Sequence, residues 1–167
     1  MDFELTDEQH ALQEVVHDLV ERDCPATLLR AVFEGRDDGS SFWKTLVSND
    51  WPGLAIDEAD GGSGATATEL IIAIEQLGWG GDPTPFLATT TQYVPLVQEC
   101  ATDEQRHELL TAVCGGGTGA AAWAGDTVSA TADGDGWVLS GTALHVMDAD
   151  RADRIARYAA FLGIGVG

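Results

Sequence analysis

The residues best equipped for chemistry in this chain are a glycine-rich run, four histidines, three cysteines and a surplus of carboxylates. Asp60-Gly61-Gly62-Ser63-Gly64 precedes a helical pattern, and the open N–H groups of a helix start favour anions. A P-loop would end in Lys followed by Ser or Thr, whereas Ala65 and Thr66 stand there. A dinucleotide loop would follow a buried strand of a βαβ unit, and no such strand precedes it. The run is therefore expected to be an ordinary turn. His10, His17, His107 and His145 lack the mutual or cysteine spacing that seats a metal; the first three are read as solvated helix residues. Most carboxylates fall opposite apolar stripes, as a solvated helix face requires, so none is singled out as an acid or base. Cys24, Cys100 and Cys114 are odd in number and far apart, which predicts reduced thiols in a cytoplasmic protein. Cys24 and Cys100, near helix ends, are expected to be buried and structural.

Charge narrows the partners. With 28 Asp and Glu against 8 Lys and Arg, the formal charge of the 167 residues is −20. A basic face able to release counterions from nucleic acid is ruled out, and anionic membrane surfaces would repel the chain. The start, Met1-Asp2-Phe3-Glu4, has no basic and apolar leader pattern, and no apolar run is long enough to insert in a membrane.

The elements that must hold these residues are mostly helical. Thr6-x-x-Gln9 is a capping box, followed by a stripe of Leu12, Val15, Val16, Leu19 and Val20. Pro25 opens a second helix with Leu28, Leu29, Val32 and Phe33 on its face, ended by Gly35. A third starts at Ser40 or Ser41 and buries Phe42, Leu46 and Val47. Pro52 prevents its continuation. A fourth runs from about Thr66, with Leu70, Ile71, Ile74 and Leu77 at helical spacing and Gly78 as its stop. Gly80 to Pro85 is a break, after which one helix runs from Pro85 through Leu96. A second capping box, Thr102-x-x-Gln105, starts the last helix, which ends at Gly115. Beyond Gly119, Val128–Thr131 and Trp137–Ser140 read as a hairpin about a D-G turn, and Ala143–Met147 as a third strand. The tail, Arg151–Gly167, returns to helical spacing. The expected organisation is an all-α unit to about residue 116, then a small antiparallel β piece.

The order of segments resembles the acyl-CoA dehydrogenase family. Met1-Asp2-Phe3-Glu4-Leu5-Thr6-Asp7-Glu8-Gln9 is similar to its start, and Trp51-Pro52-Gly53-Leu54-Ala55-Ile56-Asp57-Glu58-Ala59-Asp60-Gly61-Gly62-Ser63-Gly64 to its G-W-x-G-x-x-x-P-E-x-x-G-G-x-G segment. Glu75-Gln76-Leu77-Gly78 matches E-E-L-G, and Thr102-Asp103-Glu104-Gln105-Arg106 matches G-T-x-E-Q-[RK]. Asp135-Gly136-Trp137-Val138-Leu139-Ser140-Gly141-Thr142 is similar to D-G-[WY]-x-[LI]-[NS]-G-x-K, and Ala152-Asp153 to the A-D that follows. The resemblance implies a mainly α fold: an orthogonal helical domain over 1–116, part of a middle β domain over 117–155, and a C-terminal helical stub over 156–167. Ala159 to Gly165 is similar to the first helix of the family's C-terminal bundle.

The implied activity is α,β-dehydrogenation of an acyl-CoA thioester in lipid β-oxidation, with FAD as cofactor and a Glu of the C-terminal domain as base. The family is more than twice as long, and that Glu falls in a region this chain does not contain. Where the family has T-E-P-x-x-G-S-D, the sequence reads Ala122-Trp123-Ala124-Gly125-Asp126. Where it has G-x-K-x-[WF]-[IV]-[TS]-[NG], Gly141 to Asp148 puts His145 at the aromatic position and Met147 at the hydroxyl. Trp123, His145, Val146 and Met147 are the flavin-side positions the resemblance implies; Tyr93 is expected in the core, ahead of a place in an acyl cavity. Three functions stay open: a dehydrogenase chain in a homo- or hetero-oligomer, a non-catalytic partner subunit of one, and an acyl-CoA binding module without redox chemistry.

Overall fold

The computed structural model describes residues 4–123, 128–134 and 136–157. Helix α1 (Asp7–Asp23) starts at the expected capping box: the Thr6 side chain accepts from Gln9 N–H and the Gln9 side chain accepts from Thr6 N–H. Helices α2 (Ala26–Phe33) and α3 (Ser40–Ser48) follow, and two short 3₁₀ turns at Trp51–Gly53 and Glu58–Asp60 carry the chain across the Pro52 break. Helix α4 (Ala67–Gly80) is also opened by a capping box, Thr66 with Glu69. It runs past Gly78 and stops at Gly81, whose left-handed φ of 76° closes the end. So the helix stop lies three residues beyond the expected one.

The 86–100 rod differs most from the expectation of one uniform helix. It comprises α5 (Phe86–Ala88), a π turn (Thr89–Tyr93) and α6 (Val94–Cys100). Pro95 explains the widening, because its ring has no N–H and crowds the carbonyl one turn back. The rod joins two cores. Phe86 packs with Val16, Leu19, Val20, Phe42, Leu46 and Leu77 of α1, α3 and α4. Tyr93, Val94 and Val97 pack with Ile56 and with Leu110 and Val113 of α7 (Asp103–Cys114).

The apolar stripes are only partly buried. Val15, Ile71 and Phe33 are exposed, Phe33 at 92%, so the α2 face ends before that residue and Ile72 and Ala73 take the inner face of α4. Cys24 is buried, as expected, but Cys100 is exposed. It sits on the last turn of α6, outside both cores.

Among the described residues four strands follow. The expected hairpin forms, β2 (Ser129–Asp133) pairing antiparallel with β3 (Gly136–Ser140). The segment expected as a third strand does not: His145 sits at φ 58° and Asp148 at φ 53°, left-handed conformations that an extended strand cannot accommodate. The helical spacing expected from Arg151 is also overturned at its start. Arg154–Arg157 is strand β4, paired in parallel with β1 (Gly119–Ala122), so its backbone bonds go to a neighbouring strand. A parallel pair needs a long connection, which the hairpin segment supplies. The expected helical stub from Tyr158 onward lies outside the described residues.

Strand β1 is docked on the rod. Ala120, Ala121 and Ala122 are buried, and a Cβ at Gly119 would overlap the Tyr93 ring. The buried Thr89 hydroxyl donates to Gly119 C=O at 3.2 Å and accepts from Gly119 N–H at 3.1 Å. Thr89→Val should therefore orphan a buried N–H and cost about 1–3 kcal/mol in urea unfolding. Thr90→Val, which only removes a bond to Phe86 C=O within the same rod, should stay within about 1 kcal/mol. Equal losses would refute the joint's importance.

Candidate functional site

The glycine-rich loop is built as a turn. Gly61 N–H donates to Glu58 C=O, Gly62 to Asp57, Ser63 to Gly53 and Gly64 to Ile56, at 2.8–3.1 Å. No amide of the run is left to hold a phosphate, and a Cβ at Gly62 would overlap the Ile56 carbonyl. Asp60, 5% exposed, anchors this loop to α7. Its carboxylate accepts from Arg106 Nε at 3.1 Å and meets His107 Nδ1 at 3.3 Å, while Thr111 Oγ1 donates to its backbone carbonyl. His107 is thus a surface histidine with a structural partner. His17 likewise stacks on Trp79, ring centroids 4.3 Å apart, with Nδ1 3.1 Å from Gln76 Oε1. Among the described residues no group of His, Cys, Asp and Glu could hold a metal.

A different feature has the form of a ligand site. At the end of α4, where the chain turns into the 86–100 rod, a cleft of about 300 Å³ opens, at the small end of ligand pockets, which span roughly 300–1,000 Å³. It is lined by the apolar Ile74, Leu77, Phe86 and Leu87, by Gly78 and Gly81, and by the polar Asp82 and Thr84. The turn between them is made by Asp82 itself, whose Oδ1 accepts from Thr84 N–H at 2.8 Å, with Pro83 and Pro85 restricting the backbone. Arg151 clamps it from outside: Nη1 donates to Pro83 C=O at 2.6 Å and Nη2 to Asp38 C=O at 2.7 Å. Burial pushes the Asp82 carboxyl up to about 6, against the Thr84 bonds and the Arg151 charge, with Asp148 adding to the rise. Burial also pushes the Cys24 thiol up to about 11, helped by the nearby Asp82 charge. Sequence reasoning took residues 80–85 only as a break; the Asp82-Pro83-Thr84-Pro85 turn was its one legible signal.

The flavin-side positions lie elsewhere. Trp123 follows β1 directly and is 58% exposed. His145 is exposed and Val146 half-buried. Met147 is 42% exposed, its Sδ 3.9 Å from Gln92 Nε2 on the π turn. Among the described residues no hydrogen bond or ring contact joins Trp123 to 145–147. Tyr93, by contrast, is buried in the second core, with burial pushing its phenol up.

Residues 6–117 match the family described as acyl-CoA dehydrogenase, N-terminal domain, and the chain belongs to the acyl-CoA dehydrogenase family. Over 117 residues it is 32% identical to the acyl-CoA dehydrogenase FadE28 of Mycobacterium tuberculosis, covering 70% of this chain and 30% of that protein. It is similar to a variant of the Tcur3481-Tcur3483 steroid ACAD, with TM-score 0.77 and 30% identity over 90% of this chain and 44% of that one. The butyryl-CoA dehydrogenase of Megasphaera elsdenii gives TM-score 0.75 and 25% identity, over 94% and 45%. The chain spans less than half the length of each of these relatives. No helix among the described residues is long and apolar enough to cross a membrane.

The raised Asp82 carboxyl has a pH signature. The folded state holds its proton more tightly than the unfolded chain, so its contribution is complete below about pH 4 and is lost as pH rises through about 6. Charges facing it are Arg151 and Asp148, with the Cys24 thiol nearby. Relative to Asp82→Asn, wild-type stability should fall by about 1–2 kcal/mol between pH 4 and pH 7. Parallel thermal-melt profiles for the two proteins would contradict this.

Proposed function

We propose that this chain forms the acyl cavity of an acyl-CoA dehydrogenase and serves α,β-dehydrogenation of an acyl-CoA thioester in lipid β-oxidation. The observation that carries the reading is the apolar cleft between α4 and the rod, in a chain of this family. Its wall of Ile74, Leu77, Phe86 and Leu87 binds and desolvates the hydrocarbon part, while the turn clamped by Arg151 closes the far end. The proposed organisation is a helical domain to residue 116, a strand-bearing segment over 117–155, and a continuation over 156–167; β4 crosses the second boundary.

FAD supplies the redox chemistry when bound, taking hydride from the β-carbon of the acyl group. The exposed indole of Trp123 and the exposed thioether of Met147 offer surface suited to a flat conjugated ring. We assign Trp123, His145, Val146 and Met147 to the flavin side, where they orient the ring and exclude water.

A second reading is favoured by the scarcity of cations. Arg22, Arg36, Arg106 and Arg154 are in ion pairs and Arg151 is spent on two carbonyls. Arg30, Lys44 and Arg157 are the remaining basic residues; in this reading the polyphosphate of coenzyme A takes further contacts from a second chain, and the chain acts as a partner subunit of a hetero-oligomer. Structures similar in fold include the ChsE4-ChsE5 complex of Mycobacterium tuberculosis, with TM-score 0.77 and 20% identity over 93% of this chain and 43% of that one.

Titration calorimetry with saturated acyl-CoAs tests the cavity. Binding with a negative heat-capacity change is expected; no heat at any acyl length would remove the reading. The visible spectrum of the purified chain tests the flavin side: a bound-flavin band supports it. A colourless chain that still binds the thioester favours the partner-subunit reading.

A further inference from the structure

The chain beyond β1 leaves apolar surface in water. Among the described residues, seven of the twelve exposed large hydrophobic side chains lie between Trp123 and Ile155, and the hairpin gathers three of them. Its register sets Leu139 opposite Ala130 and Trp137 opposite Ala132, and opposite residues of an antiparallel pair share a face. One face therefore carries Ala130, Ala132, Trp137 and Leu139, and the other Ser129, Thr131, Val138 and Ser140. The first face is apolar throughout, yet Trp137 is 54% and Leu139 58% exposed. Two strands alone are marginal in water; a lasting hairpin needs its apolar face packed against a further element.

The topology shows which segment can reach that face. Strands β1 and β4 are parallel and Ala122 pairs with Arg157. The chain therefore leaves both strands at the same end of the sheet, about 5 Å apart. From Ala122 the residues 123–128 lead to β2, a span of at most roughly 20 Å. From Arg157 the sequence continues through 158–167, which reaches roughly 33 Å if extended. Its composition fits an apolar face. Seven of these ten residues are apolar, three are glycine and none is charged. Leu162, Ile164 and Val166 alternate with Gly163, Gly165 and Gly167, and a period of two puts the three branched side chains on one side of an extended segment. Glycine at that density disfavours a helix.

A second copy of the chain is the poorer occupant. Each copy carries a charge of −20, so two copies repel one another. The uncharged segment is tethered beside the hairpin instead, and meets it at the high effective concentration of an intramolecular contact.

We propose that the segment 158–167 lies extended against the apolar face of the β2–β3 hairpin, with Leu162, Ile164 and Val166 packed on Trp137 and Leu139. The face is then an internal contact of this chain, and a second chain docks elsewhere.

NMR of the full chain tests this, with the Trp137 indole signal assigned by its loss in Trp137→Phe. Nuclear Overhauser effects are expected from that indole and from the Leu139 methyls to the methyls of Leu162, Ile164 and Val166. Amide exchange of the β2–β3 ladder should quicken about tenfold or more in Ile164→Asp. It should stay within about twofold in Phe161→Asp, which places the same charge on the opposite side of the segment. Unchanged exchange in α7 of both variants shows that the helical unit is intact. A mixture of labelled and unlabelled chains separates the occupants. Overhauser effects between different copies would assign the face to a second copy and overturn the proposal. It is equally overturned if no effect joins the segment to the hairpin, or if Ile164→Asp and Phe161→Asp act alike.

Discussion

Two hydrogen bonds through one hydroxyl hold the two halves of this molecule together. Thr89 Oγ1 donates to Gly119 C=O and accepts from Gly119 N–H, so both backbone groups at the start of β1 are satisfied away from water. An open strand pair this short has no independent stability; it survives because Ala120–Ala122 are buried against the rod. The contact is possible only because position 119 has no side chain to meet Tyr93, and because the π turn presents Thr89 there. The segment after β1 is held by further bonds, from Thr118 to Asp153 and to the Arg151 carbonyl and from the Arg151 side chain to Pro83 and Asp38.

A second joint works through charge. Asp60 is among the few buried carboxylates in a chain of net charge −20. Its burial is tolerable because Arg106 and His107 face it from α7 and Thr111 takes its carbonyl. One of eight basic residues is thereby committed to structure. The glycine-rich loop beside it, which looks from composition like an anion cradle, spends its amides on its own turn. Loop glycines here serve close backbone approach.

The cleft shows how such a strongly acidic chain can still keep a carboxyl at a site. Desolvation holds the Asp82 proton on to about pH 6, and Arg151 moderates the effect from the rim while its own donors go to the backbone. The polar end is thus fixed by the proline-framed turn and the Arg151 clamp, and the apolar wall by Leu77 and Phe86 of the first core with the half-buried Ile74 and the exposed Leu87 beside them.

Much of the fold was legible because its signals are local. The capping boxes at Thr6 and Thr102, the Pro52 break, the D-G hairpin and the family motifs from Trp51 to Thr142 each involve residues a few positions apart. What failed was non-local. The stop of α4 moved from Gly78 to Gly81, whose left-handed backbone closes the helix; the strand expected at 143–147 gave way to left-handed residues. Ile155 was read as helical because spacing cannot reveal that β1, thirty-odd residues earlier, offers a free edge. The candidate site was less legible still. The Asp-Pro-Thr-Pro turn is readable from sequence, but a carboxyl raised by burial and a guanidinium arriving from residue 151 are not. Sequence alone determined the helices, their caps and the family, because those depend on neighbours along the chain. Tertiary structure alone decided where the cleft opens and which polar atoms face it, because burial and partner geometry come from segments that the chain brings together only on folding.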